Sequence, residues 1–149
     1  MSHVFHMSEA GALALHTAVY LTTHTGRPCS ARELTDALGG SAAHLVKVLQ
    51  WMTRAGLVHT QRGPCGGYAL TALAKRATIR TVIEAVEGPM TTTTCLLKHK
   101  ACRGNACMMS DLLNQINRQV MEYVSQTPIS ALTPAFARTA RQKKRNIAS

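Results

Sequence analysis

The chain has 149 residues, of which 46% are hydrophobic and 4% aromatic, and its formal net charge at pH 7 is +10. This length suits one compact domain with an accessory element, and no apolar run is long enough to span a membrane. The charge favours a polyanionic partner. The odd number of five cysteines and an N-terminus without a basic and apolar leader lead us to expect a cytoplasmic protein with reduced thiols. No P-loop, dinucleotide fingerprint or nucleophile–base group is present, so we expect no enzymatic activity.

The first half of the chain predicts two short helices joined by a tight turn. A helix over residues 8–22 precedes them and begins at Ser8. The segment "SARELTDALGG" then predicts a short helix with a capping box, in which Ser30 and Glu33 satisfy each other's backbone amides. After two glycines, "SAAHLVKVLQWMTRAG" predicts a second helix that is capped by Ser41. Two helices in this arrangement predict a helix-turn-helix unit.

The second helix of this pair has the features of a recognition helix. Its apolar residues recur at i, i+3, i+4 and i+7, which predicts one buried face. Near its N-terminus, the opposite face holds small or hydrogen-bonding side chains that suit entry into a major groove. These outward residues are Ala42, Ala43, His44 and Lys47.

A hairpin follows this helix directly. Two β-prone stretches, residues 57–61 and 68–71, flank the turn sequence "RGPCGG". Arg62 stands at the tip, where its side chain suits a narrow minor groove or a phosphate. A helix-turn-helix followed by a hairpin with a basic tip predicts a winged helix.

Two more helices are predicted in the second half of the chain, over residues 78–88 and 108–125. In the second of them, apolar residues step by 4, 3, 4 and 3, like the seam of a coiled coil. Such a seam can pair with the same helix of a second copy or pack on its own domain, and the two arrangements are compatible. The seam residues are Met109, Leu113, Ile116, Val120 and Tyr123.

Three of the five cysteines, Cys95, Cys102 and Cys107, lie in the segment "CLLKHKACRGNAC". Thiolates on a basic, glycine-containing loop suit an iron–sulfur cluster, because the nearby basic side chains offset its negative charge. Zinc is a weaker fit, since the loop lacks a pair of closely spaced cysteines. A disulfide switch between Cys102 and Cys107 without any cofactor, or three buried structural thiols, are the remaining interpretations.

Together these features resemble the Rrf2 family of bacterial winged-helix regulators. The resemblance rests on the wing sequence "LVHTQRGPCGGYAL", the helix "IRTVIEAVEG" and the three cysteines before a long C-terminal helix, and it spans roughly residues 7–135. Membership implies a homodimer that binds palindromic double-stranded operator DNA. In the members that carry an iron–sulfur cluster, the three cysteines hold the cluster, and its state modulates DNA binding.

The resemblance assigns roles to individual positions of this sequence. Arg62 and Gly63 match the wing residues that approach the minor groove. The matching positions on the recognition helix are Ser41, His44 and Lys47, and the matching cluster ligands are Cys95, Cys102 and Cys107.

The sequence also departs from the family pattern. Cys65 replaces the middle glycine of the usual wing-tip triplet, and the three loop cysteines are less evenly spaced than in well-known members. Ser110 stands where some members have a histidine as the fourth ligand. Other members use an N-terminal carboxylate, for which Glu9 is the candidate here, with His99, Cys65, Cys29 or a small molecule as alternatives.

The predicted fold class is mainly α with a small β-hairpin, a winged helix-turn-helix domain plus a long C-terminal dimerisation helix. The predicted function is transcription regulation through a 2Fe–2S or 4Fe–4S cluster that senses redox state, iron or a reactive gas. Protein prepared in air can lack this cluster. The alternative is a cofactor-free regulator that senses redox state through its thiols. The predicted parts are a DNA-binding domain (1–90), a sensor loop (91–107), a dimerisation helix (108–135) and a basic disordered tail (136–149).

Overall fold

The computed structural model describes residues 7–93, 95–96 and 109–132. Within them, the chain forms helices, a two-stranded antiparallel sheet and short 3-10 turns. In chain order these are α1 (Glu9–Thr23), α2 (Ala31–Leu38), α3 (Ala42–Arg54), β1 (Val58–Gln61), β2 (Gly67–Leu70), the 3-10 turn Ala74–Arg76, α4 (Ile79–Glu87), α5 (Ser110–Gln126) and the 3-10 turn Ile129–Leu132.

The starts of the first three helices follow the capping prediction only in part. The Ser8 and Ser30 hydroxyls accept hydrogen bonds from backbone N–H groups at the starts of α1 and α2, as predicted. The capping box also predicts a bond from the Ser30 N–H to the Glu33 side chain. In its place, the Glu33 carboxylate accepts hydrogen bonds from Arg27 at 2.5 and 2.9 Å. Ser41 occupies the N-cap of α3, but its side chain makes no capping hydrogen bond, so the prediction that it caps the helix is wrong.

The wing consists of β1 and β2, which pair antiparallel with Gln61 opposite Gly67 at the end nearest the tip. The connection between α1 and α2 extends this sheet, since Cys29 and Tyr68 exchange backbone N–H···O bonds of 2.9 and 2.8 Å. Gly67 permits the close approach, because a Cβ there would lie 2.6 Å from the carbonyl carbon of Cys29. The base of the wing is therefore fixed to the helical part of the domain.

The main core lies between α1, α3 and α4, with the base of the wing on one side. The buried face of α3 is the one that the sequence predicts: Leu45, Val48, Leu49 and Met52 are at most 1% exposed. Ile129, from the C-terminal 3-10 turn, is fully buried in the same core. The 3-10 turn that follows α5 thus contributes to the packing of the main core.

A smaller apolar cluster joins α4 to α5. Val124 of α5 packs there with Ile79 and Ile83 of α4. The backbone N–H of Ile79 also donates to the carbonyl of Thr127 at 3.0 Å, just beyond the end of α5. These contacts attach α5 firmly to the winged helix.

Helix α5 begins at Ser110 and ends at Gln126, close to the helix predicted over residues 108–125. The 3-10 turn Ile129–Leu132 follows it within the part predicted as 108–135. The predicted apolar seam divides into two stripes. Val120 and Val124 pack toward α4. The outward stripe consists of Leu112, Ile116 and Tyr123, which are 48%, 36% and 59% exposed.

Some predictions concern residues beyond those described. Of the sensor loop predicted over residues 91–107, the structure describes residues 91–93 and 95–96. The tail predicted over residues 136–149 lies outside the described residues. Among the helices that the structure describes, none is long and apolar enough to cross a membrane.

Candidate nucleic-acid interface and cysteine site

The outer side of α3 begins with small side chains. Its inner side is held in the main core, which fixes the orientation of the helix relative to the wing. Ala42 and Ala43 are exposed in the first turn, and His44 and Lys47 follow them. Methyl groups allow the helix to approach another surface closely, while an imidazole and an ammonium can bind base edges or phosphates. This surface has the chemistry required to enter a groove of a nucleic-acid duplex.

The N-terminus of α3 adds backbone donors to this surface. The first N–H groups of a helix have no intrahelical acceptors, so they can bind an anion such as a phosphate. Ser41 stands at this end with an extended backbone (φ −82°, ψ 125°) and an exposed side chain. Because its hydroxyl does not cap α3, that hydroxyl can bind the same anion.

His44 and Glu9 are brought together from two helices. The Nδ1 atom of His44 lies 3.7 Å from Oε1 of Glu9, and the side chains of His44 and Glu9 are 29% and 80% exposed. The sequence indicates Glu9 as a candidate cluster ligand, but it gives no sign of this neighbour. The candidate ligand in α1 thus lies beside the predicted DNA-reading helix.

Lys47 is held over an aromatic ring of its own helix. Its Nζ atom lies 5.1 Å from the ring centroid of Trp51, one turn further along α3, which is a cation–π contact. Trp51 is half-buried against the main core. The contact restricts the Lys47 side chain to the outer side of α3 and keeps its charge at the exposed surface.

Arg62 and Gly63 lie at the wing tip, as predicted. The Arg62 side chain is exposed directly after β1. Gly63 has φ +122°, in the left-handed region, and its carbonyl accepts the N–H of Gly66 at 2.9 Å. The turn therefore needs glycine at position 63, whereas Cys65 within it is an exposed free thiol.

A polar cluster behind the wing supports the connection between α1 and α2. Glu33 accepts hydrogen bonds from Arg27 and, at 3.3 Å, from the Tyr20 hydroxyl. The hydrogen bonds from Arg27 are the main cause that holds the pKa of Glu33 below its ordinary value. Burial raises the pKa of the Cys29 thiol, which has no solvent exposure. Cys29 is therefore a packed, protonated thiol of the core.

The structure describes one of the three cysteines of the sensor loop. Cys95 is half-buried and carries a free thiol. Cys102 and Cys107 lie outside the described residues. In the described part of the chain, no three His, Cys, Asp or Glu side chains gather into a metal site. Three thiols within thirteen residues are nevertheless a donor set that suits an iron–sulfur cluster, with one further ligand to be supplied.

The segment that leads to Cys95 is anchored by two side chains that the sequence analysis does not identify. Oε1 of Glu84 accepts the backbone N–H of Met90 at 3.0 Å. Nδ2 of Asn117 donates to the carbonyl of Thr93 at 2.8 Å. The only sequence signal for the second anchor is an asparagine among the apolar residues of α5 that face the domain.

The helix pair, the wing and the exposed side of α3 define a winged-helix protein of the helix-turn-helix class. The model of the family Rrf2, described as "Iron-dependent Transcriptional regulator", matches residues 7–135. The chain belongs to this family.

Individual relatives agree with this assignment. The transcriptional regulator IscR of Vibrio vulnificus is 26% identical over 127 residues, which cover 85% of this chain and 76% of the relative. A Neisseria meningitidis protein named as an HTH-type transcriptional regulator is 33% identical over 92 residues. That match covers 62% of this chain and spans 62% of the length of the relative.

Solved structures share the fold. CymR of B. subtilis, titled the global cysteine regulator of that organism, superposes with a TM-score of 0.74 at 23% identity, covering 89% of this chain and 98% of CymR. IscR of T. potens superposes with a TM-score of 0.67 at 18% identity, covering 89% of each chain. The predictions of a winged helix and of the Rrf2 family are confirmed. The prediction that the chain is no enzyme is confirmed by its membership of a family of transcriptional regulators.

Proposed function

We propose that the protein is a homodimeric DNA-binding transcription regulator whose affinity for its operator depends on an iron–sulfur cluster. One observation carries the DNA-binding part. The exposed side of α3 and the exposed Arg62 of the wing stand on one rigid domain, because the core and the Cys29–Tyr68 bonds connect them. A helix for the major groove and an arginine for the minor groove are the two reading elements of a winged helix.

In this proposal, α3 enters the major groove with its N-terminus foremost. Ser41 and His44 contact base edges or the adjacent backbone, and Lys47 contacts a phosphate. Arg62 enters the neighbouring minor groove, and the left-handed backbone of Gly63 directs it there. Phosphate contacts supply affinity, while contacts with the base edges supply sequence choice.

The proposed dimer interface is the outward stripe of α5. Leu112, Ile116 and Tyr123 are large, exposed and aligned along one side of the helix. Pairing of this stripe with its symmetry copy would remove apolar surface from water. The two recognition helices would then reach successive major grooves about 34–36 Å apart, which implies a palindromic operator.

The proposed cluster ligands are Cys95, Cys102 and Cys107, with Glu9 as the candidate for the fourth position. A bound cluster of the 2Fe–2S or 4Fe–4S type would make the protein responsive to redox state, iron or a reactive gas. Oε1 of Glu9 contacts His44, so cluster binding through this oxygen would compete with the contact to the recognition helix. A carboxylate in the ligand set also gives a more labile site than a fourth thiolate.

A cofactor-free thiol sensor is the second candidate function. The free, half-buried thiol of Cys95 favours it, because such a thiol can be oxidised without any metal. CymR of Staphylococcus aureus, a structural neighbour at 21% identity with a TM-score of 0.70, has a solved structure titled as the oxidized form. Iron and sulfide contents of protein purified without oxygen distinguish the two candidates.

The DNA-binding part is tested by selection of duplexes from a random pool, followed by anisotropy titration of the selected sequence. We expect a palindrome whose half-sites are about 10 base pairs apart. Arg62→Ala should weaken binding about tenfold, because a groove or phosphate contact is lost while the fold is kept.

The matched control for this titration is Arg118→Ala, which removes an exposed arginine of α5 and should leave the affinity within about twofold. Equal losses in the two variants would mean that only net charge matters. A selected pool without any consensus would contradict operator recognition.

A further inference from the structure

We propose that Asn117 is a positioning residue, which fixes the chain next to Cys95 against α5 and thereby restricts access to this thiol. The inference rests on the proposed sensor role of the cysteine loop. It identifies the side chain through which the described part of that loop contacts the proposed dimerisation helix.

Asn117 lies on the inner side of α5. Leu113, Val120 and Val124 occupy the same side, at steps of 4, 3 and 4 through Asn117. Val120 and Val124 belong to the apolar cluster that joins α5 to α4. Asn117 is half-buried there, so its carboxamide loses part of its hydration, and a hydrogen bond within the protein offsets this loss.

That hydrogen bond is made to the segment that leads from Met90 to Cys95, here called the sensor segment. Nδ2 of Asn117 donates to the carbonyl of Thr93 at 2.8 Å, across 24 residues of sequence. The bond explains why a polar side chain occupies this apolar row. The acceptor is a backbone carbonyl. The bond therefore holds the chain at position 93 whatever side chain that residue carries.

The anchored carbonyl is two residues before Cys95. The segment starts at Met90, whose N–H is held by Glu84 of α4, and the three threonines that follow are exposed. The segment is therefore fixed to α4 at its start and to α5 at Thr93. With a single residue between Thr93 and Cys95, the second anchor sets the position from which the chain reaches the half-buried thiol.

Alkylation of reduced, metal-free, full-length protein by iodoacetamide tests this proposal. Trypsin releases residues 81–98 as one peptide with Cys95 as its sole cysteine, so mass spectrometry measures the rate at this thiol alone. Asn117→Ala and the isosteric Asn117→Asp both lose the donor. They should raise the Cys95 rate about 3- to 10-fold, the factor that corresponds to one net hydrogen bond.

Two controls separate positioning from a loss of fold. Gln115→Ala removes a carboxamide from the exposed, opposite side of α5 and should leave the Cys95 rate unchanged. The peptide of residues 63–75 contains only Cys65, whose thiol at the wing tip should react at the wild-type rate in every variant.

An unchanged Cys95 rate in both Asn117 variants would overturn the proposal. A parallel rise at Cys95 and Cys65, with a lower Tm, would also overturn it, because Asn117 would then stabilise the fold without positioning the thiol. The measurement needs no bound iron, so protein that binds no cluster would contradict the proposed cluster and leave this test intact.

Discussion

At the scale of single residues, Glu33 illustrates how one carboxylate joins several segments. It belongs to α2, accepts two hydrogen bonds from Arg27 in the preceding loop, and accepts a third from Tyr20 of α1. The loop that it holds contains Cys29, whose backbone extends the wing sheet. Glu33 therefore supports the base of the wing without being part of the exposed reading surface.

This role predicts a pH dependence of stability. The folded-state pKa of Glu33 lies below its unfolded value, chiefly through the hydrogen bonds from Arg27. Its stabilising contribution is therefore fully present above the ordinary carboxyl pKa and is lost as the pH falls through the lowered one. We expect the Tm of Glu33→Gln to be a few degrees below wild type at pH 7, with the difference shrinking as the pH falls below about 4.

Asp36→Asn is the control for this thermal-melting series, since Asp36 is an exposed acid on the same helix. Its Tm should follow the wild-type profile. A Glu33→Gln variant whose deficit persists unchanged to low pH would show that packing, and not the charge, is what Glu33 supplies.

Residues with local roles could be predicted from the sequence, and residues with distant partners could not. The buried face of α3 follows from apolar spacing, and the exposure of Arg62 follows from the turn residues around it. The contact between Glu9 and His44 depends on how α1 crosses α3, which no local pattern encodes. The serine at position 41 predicts a cap for α3, and no local pattern indicates that its hydroxyl makes no capping hydrogen bond.

At the scale of secondary-structure elements, α5 carries the proposed link between sensor and dimer. Its inner stripe binds α4 and the sensor segment, and its outer stripe of Leu112, Ile116 and Tyr123 remains exposed. An exposed apolar stripe of this kind on a helix is typical of an interface. The same helix therefore presents one side to the cysteine segment and another to the proposed partner copy.

Ile116→Glu tests the outer stripe. A carboxylate in the middle of a buried apolar interface should weaken dimerisation on the order of 100-fold or more, because its desolvation would have no compensating partner. Ile116 is exposed in the protomer, so the helix content should be kept. Light scattering coupled to gel filtration measures the mass, and circular dichroism measures the helix content.

Asn114→Glu introduces the same charge on the opposite, exposed side of α5 and should leave the dimer intact. If Ile116→Glu remained a dimer at micromolar concentration, the interface would have to lie elsewhere on the molecule.

The elements themselves were largely predictable, whereas their partners were not. The helix pair and hairpin follow from the Ser30 cap, apolar spacing, glycine stops and β-prone runs, and their observed bounds lie close to the predicted ones. The seam of α5 was predicted as a single stripe. In the structure, the apolar residues of α5 lie on two sides of the helix. Contact with α4 determines which of them are buried.

In the molecule as a whole, residues 127–132 pack onto the winged helix. Ile129 is buried in the main core, and Thr127 bonds to the start of α4. A displacement of α5 would therefore reach the helices that carry the reading surface through these contacts. With a net charge of +10, the molecule also attracts DNA over a distance. In the proposed mechanism, the cluster would therefore only have to change how well the two recognition helices of the dimer match their operator.

The proposed function depends on an iron–sulfur cluster held by the cysteine loop. The most direct test is the ultraviolet–visible spectrum of protein purified without oxygen, together with iron and sulfide assays. We expect brown protein with charge-transfer bands, and a colourless but folded dimer for Cys102→Ala, because a thiolate ligand is removed. Colourless wild-type protein that also resists anaerobic reconstitution would contradict the cluster and leave the thiols themselves as the sensor.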